Sequence, residues 1–268
     1  MCKTMPGSAC QSEIMSFGKL GERYDRSRRL PSAILRDAIT HATRQCRDAA
    51  GSPYALDCGC GTGQMLPALH SAGWITVGLD PAEPVLSTAR RRCRTAVVAA
   101  DGTRLPFLDA AFGLVIVAHV IEHVAAWRSL IEECRRVTGR DGAVVFISTP
   151  GFIRNSPRSA IKEALKKRGW HVTRAGPAGL AELDAELRAE GIDSILVQRP
   201  EWTWSREQPI SASLESLRNR EYSAFWNCPA PLYSDALNDV STTFSSRLDE
   251  IERITASLSY LIVRGVGR

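Results

Sequence analysis

The chain has 268 residues, 44% hydrophobic and 24% charged, which suits one generous globular domain or a domain carrying a sub-domain. No run of 18 apolar residues occurs and the first twenty residues hold no continuous apolar stretch, which excludes a membrane span and argues against a secretory signal. The net charge of +5 is mild for a nucleic-acid binder.

Residues 1–15 read as a loose polar tail. From Ser32, with Pro31 suited to a first turn, Ile34, Leu35, Ala38, Ile39 and Ala42 recur at helical spacing. "YALDCG" then reads as a short buried strand entering a glycine turn, and "QMLPALHSAG" as a helix stopped by Gly73. The alternation continues through strands at 74–80, 95–101, 112–120 and 142–150, with "EPVLSTARRRC" and "WRSLIEECRRVT" as helices between them. Strands apolar on both faces and separated by helices predict a doubly wound α/β fold with a mostly parallel sheet. After Pro150 come a basic helical stretch, the helix "LAELDAELRAEG" and a sixth strand at "IDSILVQRP". About fifty residues rich in Trp, Ser and Asn follow, long enough to predict a helical lid rather than a loop. "RITASLSYLIVRGV" closes the chain as a last strand.

Eight cysteines are scattered along the sequence. Cys58-Gly-Cys60 is too tight for the common zinc pairs and no second pair completes a site, so no metal is expected. Free thiols and a cytoplasmic location are the expectation. Arg154, Arg158, Lys162, Lys166, Lys167, Arg168 and Arg174 face a single Glu163 between 151 and 180. Such a run reads first as a solvated helix face, with an anionic substrate or an RNA backbone as alternatives.

The strongest signal is "ALDCGCGTGQMLPAL" at 55–69. Gly59, Gly61 and Gly63 let backbone approach a ligand and aim N–H groups at it. Asp80 ends the next strand, where an acidic residue meets a ribose diol in doubly wound folds, and Asp101, followed by Gly102, ends the third. A dinucleotide fingerprint would need its third glycine at Gln64, and a phosphate-binding Lys-Ser/Thr is missing, so an adenosine without phosphates fits best.

"LDCGCGTG", "VGLDPAEPVLSTAR", "AADGTRLPFLDAAFGLVIVAHVIEHV" and "LIEECRRVTGRDGAVVFIST" resemble the successive motifs of class I S-adenosylmethionine-dependent methyltransferases, type 11, of the ubiquinone/menaquinone C-methyltransferase kind. The resemblance covers about 50–150. It implies a seven-stranded sheet with an antiparallel last strand, and S-adenosyl-L-methionine as cofactor. It also implies N-terminal cap helices over 1–50, a cofactor-binding core over 51–150, a helical, substrate-facing region and lid with one core strand over 151–250, and the last strand over 251–268. Asp57, Gly59, Gly61 and Gly63 would line the methionine end, Asp80 and Pro81 the ribose, and Asp101 and Gly102 the adenine. His119 would lie at the floor of the methyl-transfer site.

A general base is needed only if the acceptor loses a proton as it attacks; "HVIEHV" offers His123, then His119, with Glu122 between them. Tyr24, in "RYDRSRR", and Trp202, Trp204, Arg218, Tyr222 and Trp226 are candidates to meet the acceptor. The reading is methyl transfer to O, N or C of a small-molecule methyl acceptor, with no nucleic-acid partner expected and no signal for an oligomeric state. An RNA methyltransferase and a non-catalytic S-adenosylmethionine-binding protein are the alternatives.

Overall fold

The computed structural model describes residues 30–46, 51–93, 95–152 and 156–264. Tyr24 lies outside them. The opening helix α1 (Ser32–Cys46) leads to β1 (Tyr54–Cys58), α2 (Leu66–Ser71), β2 (Ile75–Asp80), α3 (Glu83–Cys93), β3 (Ala96–Ala99) and β4 (Leu114–Ala118). A 3-10 turn at Ile121–His123 enters α4 (Trp127–Thr138), followed by β5 (Ala143–Ser148) and the two-residue β6 (Gly151–Phe152). Then come α5 (Pro157–Lys167), α6 (Leu180–Ala189), β7 (Ser194–Pro209), α7 (Ile210–Arg218), a second 3-10 turn at Ser223–Phe225, α8 (Ala230–Thr243) and β8 (Ile251–Arg264).

The strands form one sheet. Its order runs β3-β2-β1-β4-β5-β8, all parallel up to β5, with β8 antiparallel to β5 and β7 on the far side of β8. β6 pairs with β8 just past the end of β5, so the two read as one interrupted strand and the sheet as the expected seven. Period-two alternation sorts the apolar residues to its faces. Val115 and Val117 of β4 point into a core with Leu130, Ile131 and Cys134 of α4 and Leu183 of α6. Leu114 and Ile116 point the other way, against Leu35, Ala38 and Ile39 of α1. Cys46, Cys58, Cys60, Cys134 and Cys228 are free and buried.

The lid begins later than the sequence suggests. "WTWSREQP" belongs to β7, paired with β8 from Thr203↔Ser257 to Pro209↔Ile251. β5 stops at Ser148↔Ser259, so the β7–β8 ribbon runs on for about 26 Å at the usual strand rise, past the carboxyl edge of the sheet. It carries a helical cap with a core of its own: Ile161 and Leu165 of α5, Leu214 and Leu217 of α7, Phe225, and Tyr233, Ala236 and Val240 of α8. Pro157 opens α5 behind Ser156, whose hydroxyl accepts from the Ser159 N–H in a reciprocal capping box. No helix among the described residues is long and apolar enough to cross a membrane.

Candidate active site

The glycine turn follows β1 at the carboxyl edge, and each of its glycines does a different job. Gly59 has φ +80°, and a Cβ there would sit 2.3 Å from Val120 Cγ2, so it is both left-handed and pressed against the segment after β4. Gly63 has φ +81°, and its missing Cβ leaves room for Leu66 and Ala89, so it packs between α2 and α3. Gly61, at φ +51°, has nothing within 4 Å of where its Cβ would be; it is the one that faces open space. Gly102 likewise packs, against Leu130 and Cys58.

Asp80 holds this turn in shape. Its Oδ2 accepts the Gly61 N–H and its Oδ1 the Ala82 N–H, each at 2.8 Å, which fixes the exposed Pro81 between them. Sequence reasoning assigned Asp80 to a ligand and missed this strut. Asp101 accepts the Thr103 N–H at 2.9 Å through Oδ1. Burial raises the Asp80 carboxyl above the usual range, against the lowering by its two backbone donors.

Asp57 is different. It is 1% exposed, and neither carboxylate oxygen has a hydrogen-bond partner among the described residues. Burial, and then the neighbouring Asp80, push its carboxyl up to about 8. A buried carboxylate without a donor is expensive, and a cationic or N–H-rich ligand is the natural partner for it. Together with the open approach at Gly61, this fits a small molecule carrying an ammonium group.

β4 ends in strain. His119 adopts φ +57°, rare for a side-chain-bearing residue, while its N–H donates to Ile147 O and its Nε2 lies 3.1 Å from Thr149 Oγ1. One turn later, Glu122 and His123 line a cleft of about 720 Å3 between the 3-10 turn, the 170–178 loop, α5 and the cap. The loop is pinned there: the N–H groups of Ala175 and Gly176 donate to Glu122 O, and a Cβ on Gly176 would lie 2.0 Å from Ile121 O. His119 is not among the residues lining this cleft; His123 is.

The substrate candidates scatter. Trp226 lines the cleft, its indole N–H donating to Arg220 O at 2.7 Å. Tyr222 is buried in the cap core beneath the Arg158 guanidinium, 4.5 Å from the ring centre. Trp202 is core, 1% exposed on the α1 side of the sheet, donating to Asp37 and edge-on to His41. Trp204 sits on β7 against that same core, and Arg218 is exposed in the last turn of α7. The lid reading failed for both tryptophans because their polar neighbours hid a strand alternation. What sequence reasoning underweighted was the basic run. Arg168 pairs with Asp239 outside the cleft, whereas Arg158, Lys162, Lys166 and Arg174 line it.

A family profile described as a methyltransferase domain matches residues 56–146. A demethylmenaquinone methyltransferase of Clavibacter sepedonicus is 31% identical over 140 residues, covering 50% of this chain and 57% of that protein. The chain thus spans little more than half the length of that relative. A probable S-adenosylmethionine-dependent methyltransferase of Mycolicibacterium smegmatis is 28% identical over 187 residues, covering 62% and 72%. Among solved structures, a putative type II methyltransferase from Anaeromyxobacter dehalogenans superposes with a TM-score of 0.54 at 18% identity, over 85% of this chain and 97% of that one. At that identity the likeness speaks for the fold.

Proposed function

We propose, for a chain whose residues 56–146 match a methyltransferase-domain profile, that it is an S-adenosylmethionine-dependent enzyme of the class I kind and methylates a small molecule bound in the cleft beside His123. The observation that carries the site assignment is Asp57: a wholly buried carboxylate with two unpartnered oxygens, next to a turn open at Gly61.

The residues fit S-adenosyl-L-methionine. Asp57 would hold the ammonium of its amino-acid end, Gly61 would let backbone approach it, Asp80 would use its remaining lone pairs for the ribose hydroxyls, and Asp101 would accept from the adenine amino group through Oδ2. Once bound, the cofactor supplies a methyl group on a positively charged sulfur, which is electrophilic without further activation. The protein's task is then to place a nucleophile in line and exclude water, an effect worth about 7–11 kcal/mol when geometry is good. The cap and the pinned 170–178 loop wall the cleft for that purpose. His119, held by Thr149 and by its own backbone strain, positions the end of β4. His123, in the cleft wall, takes the acceptor's proton where the acceptor has one to lose. Free, buried thiols are in keeping with a reducing, cytoplasmic setting.

Calorimetric titration with S-adenosylhomocysteine and NAD tests the cofactor, and transfer of labelled methyl to a panel of small nucleophiles tests the reaction. Micromolar binding of S-adenosylhomocysteine with NAD silent is expected. Binding of NAD alone would overturn the reading.

A further inference from the structure

We propose that cofactor uptake is an exchange at Asp57: the free protein keeps a proton on this carboxyl, and the ammonium of the incoming cofactor displaces it to solvent. Asp57 then selects for the amino-acid end of the ligand, because a nucleoside without that end has nothing to trade for the proton. The proposal rests on the S-adenosyl-L-methionine reading above and adds what the site must give up to bind it.

The surroundings of Asp57 fix its charge in the free protein. It is 1% exposed, and neither carboxylate oxygen has a hydrogen-bond partner among the described residues. A buried carboxyl without donors stays neutral, since the charged form is the costly one. Its neighbours across the sheet are Gly78 of β2 and Ile116 of β4, neither of which carries a side-chain donor. Asp80, at the end of β2, faces it with a like charge. Cys58 and Cys60 feel both carboxylates, and burial holds the protons on their thiols. Among the described residues no cation figures in the charges acting on Asp57, and neither His119 nor His123 at the end of β4 does.

Asp80 settles which of the two carboxyls carries the proton. Its oxygens accept the N–H groups of Gly61 and Ala82, which favour the anion there, whereas Asp57 has no such help. The Asp57 carboxyl, pushed up to about 8 by burial and then by Asp80, agrees with that order. An ammonium reverses the balance, for it brings the opposite charge together with the N–H donors that both orphan oxygens lack. In the exchange the Asp57 O–H bond breaks, the proton passes to the buffer and N–H···O contacts form, while every bond of the cofactor stays intact. The approach at Gly61 is open, with nothing within 4 Å of its missing Cβ.

The test is calorimetry at pH 7 in PIPES and in Tris, whose heats of ionisation differ, so that the buffer dependence of the binding heat counts protons. The ligands are S-adenosylhomocysteine and 5′-methylthioadenosine, which shares the adenosine and thioether but ends before the ammonium; the proteins are wild type and Asp57→Asn. With the carboxyl at about 8, roughly ten in eleven free molecules hold the proton at pH 7, so S-adenosylhomocysteine should expel about 0.9 proton. Its affinity should rise about ninefold from pH 6 to pH 7. Methylthioadenosine should bind more weakly, expel no proton and show no such rise. Asp57→Asn should lose S-adenosylhomocysteine yet keep methylthioadenosine within about twofold, which also shows the variant folded, since both proteins then offer that ligand a neutral side chain. Binding of S-adenosylhomocysteine without proton release, equal release with methylthioadenosine, or release that persists in Asp57→Asn overturns the exchange and leaves the cofactor reading intact. A wild-type protein that binds neither ligand overturns the cofactor reading and the exchange with it.

Discussion

Replacing Asp57 by Asn should make the free protein more stable and stop it binding S-adenosylhomocysteine. The folded environment raises this carboxyl from 3.8 to about 8, so the folded state holds a proton that the unfolded chain releases near pH 4. A raised folded value means the side chain favours folding least at high pH: its contribution is intact below about pH 4 and is lost as pH climbs to 8. At pH 7 the difference between 7 and 3.8 amounts to about 4 kcal/mol of destabilisation. A buried Asn without partners keeps roughly 1–3 kcal/mol of desolvation cost, so the net gain is about 1–3 kcal/mol, or several degrees in Tm. Urea unfolding at pH 5, 6, 7 and 8 reads this directly, and the gap between variant and wild type should widen across that range and flatten above 8. Pairing with a cation needs the ionised form, so wild-type affinity for S-adenosylhomocysteine should rise over the same interval. A variant less stable than wild type, a gap independent of pH, or undiminished S-adenosylhomocysteine binding would refute the assignment of Asp57 as a ligand-facing carboxylate.

Gly59→Ala forces a Cβ to within 2.3 Å of Val120 Cγ2 at a φ of +80°, and should cost at least 1–3 kcal/mol of stability, roughly the price of overpacking, and abolish S-adenosylhomocysteine binding in calorimetry. His123→Gln should lower kcat by about a hundredfold for an acceptor that loses a proton, flatten the acid limb of the pH profile and leave S-adenosylhomocysteine affinity unchanged; an unaltered pH profile would exclude His123 as the base. Trp202→Phe removes the bond to Asp37 and part of a filled core, so urea unfolding should show a loss of about 1–3 kcal/mol with KM for the acceptor unmoved. A raised KM at full stability would put Trp202 back at the acceptor.

How far these features were legible follows from what shapes each of them. β1, β2 and β4 are apolar runs bounded by glycines and aspartates, and their chemistry is local, so motif and structure coincide within a residue or two. The second half of β7 was hidden because the ribbon alternates Trp202 with Thr203 and Trp204 with Ser205, a polar rhythm that reads as loop until its partner β8 is known. The role of Asp80 as a strut depends on backbone N–H groups of Gly61 and Ala82, which no sequence spacing displays. The basic run was visible as charge, yet its division between Arg168, paired on the cap surface, and Lys162, turned to the cleft, is set by the 170–178 loop folding back on Glu122. Side chains whose partners are distant in the chain are the ones that pattern alone misassigns.

The cap draws its core from two stretches separated by more than forty residues: α5, which follows the fifth strand, and the α7–α8 segment carried at the tip of the β7–β8 ribbon. Neither stretch can be exchanged alone. A graft of 210–250 from another protein would meet Ile161 and Leu165 shaped for different neighbours, and a graft of 156–170 would strand Leu214 and Tyr233. Under the function proposed above, altering acceptor choice in this scaffold means transplanting both stretches as a matched pair, while the glycine turn and its aspartates stay where they are.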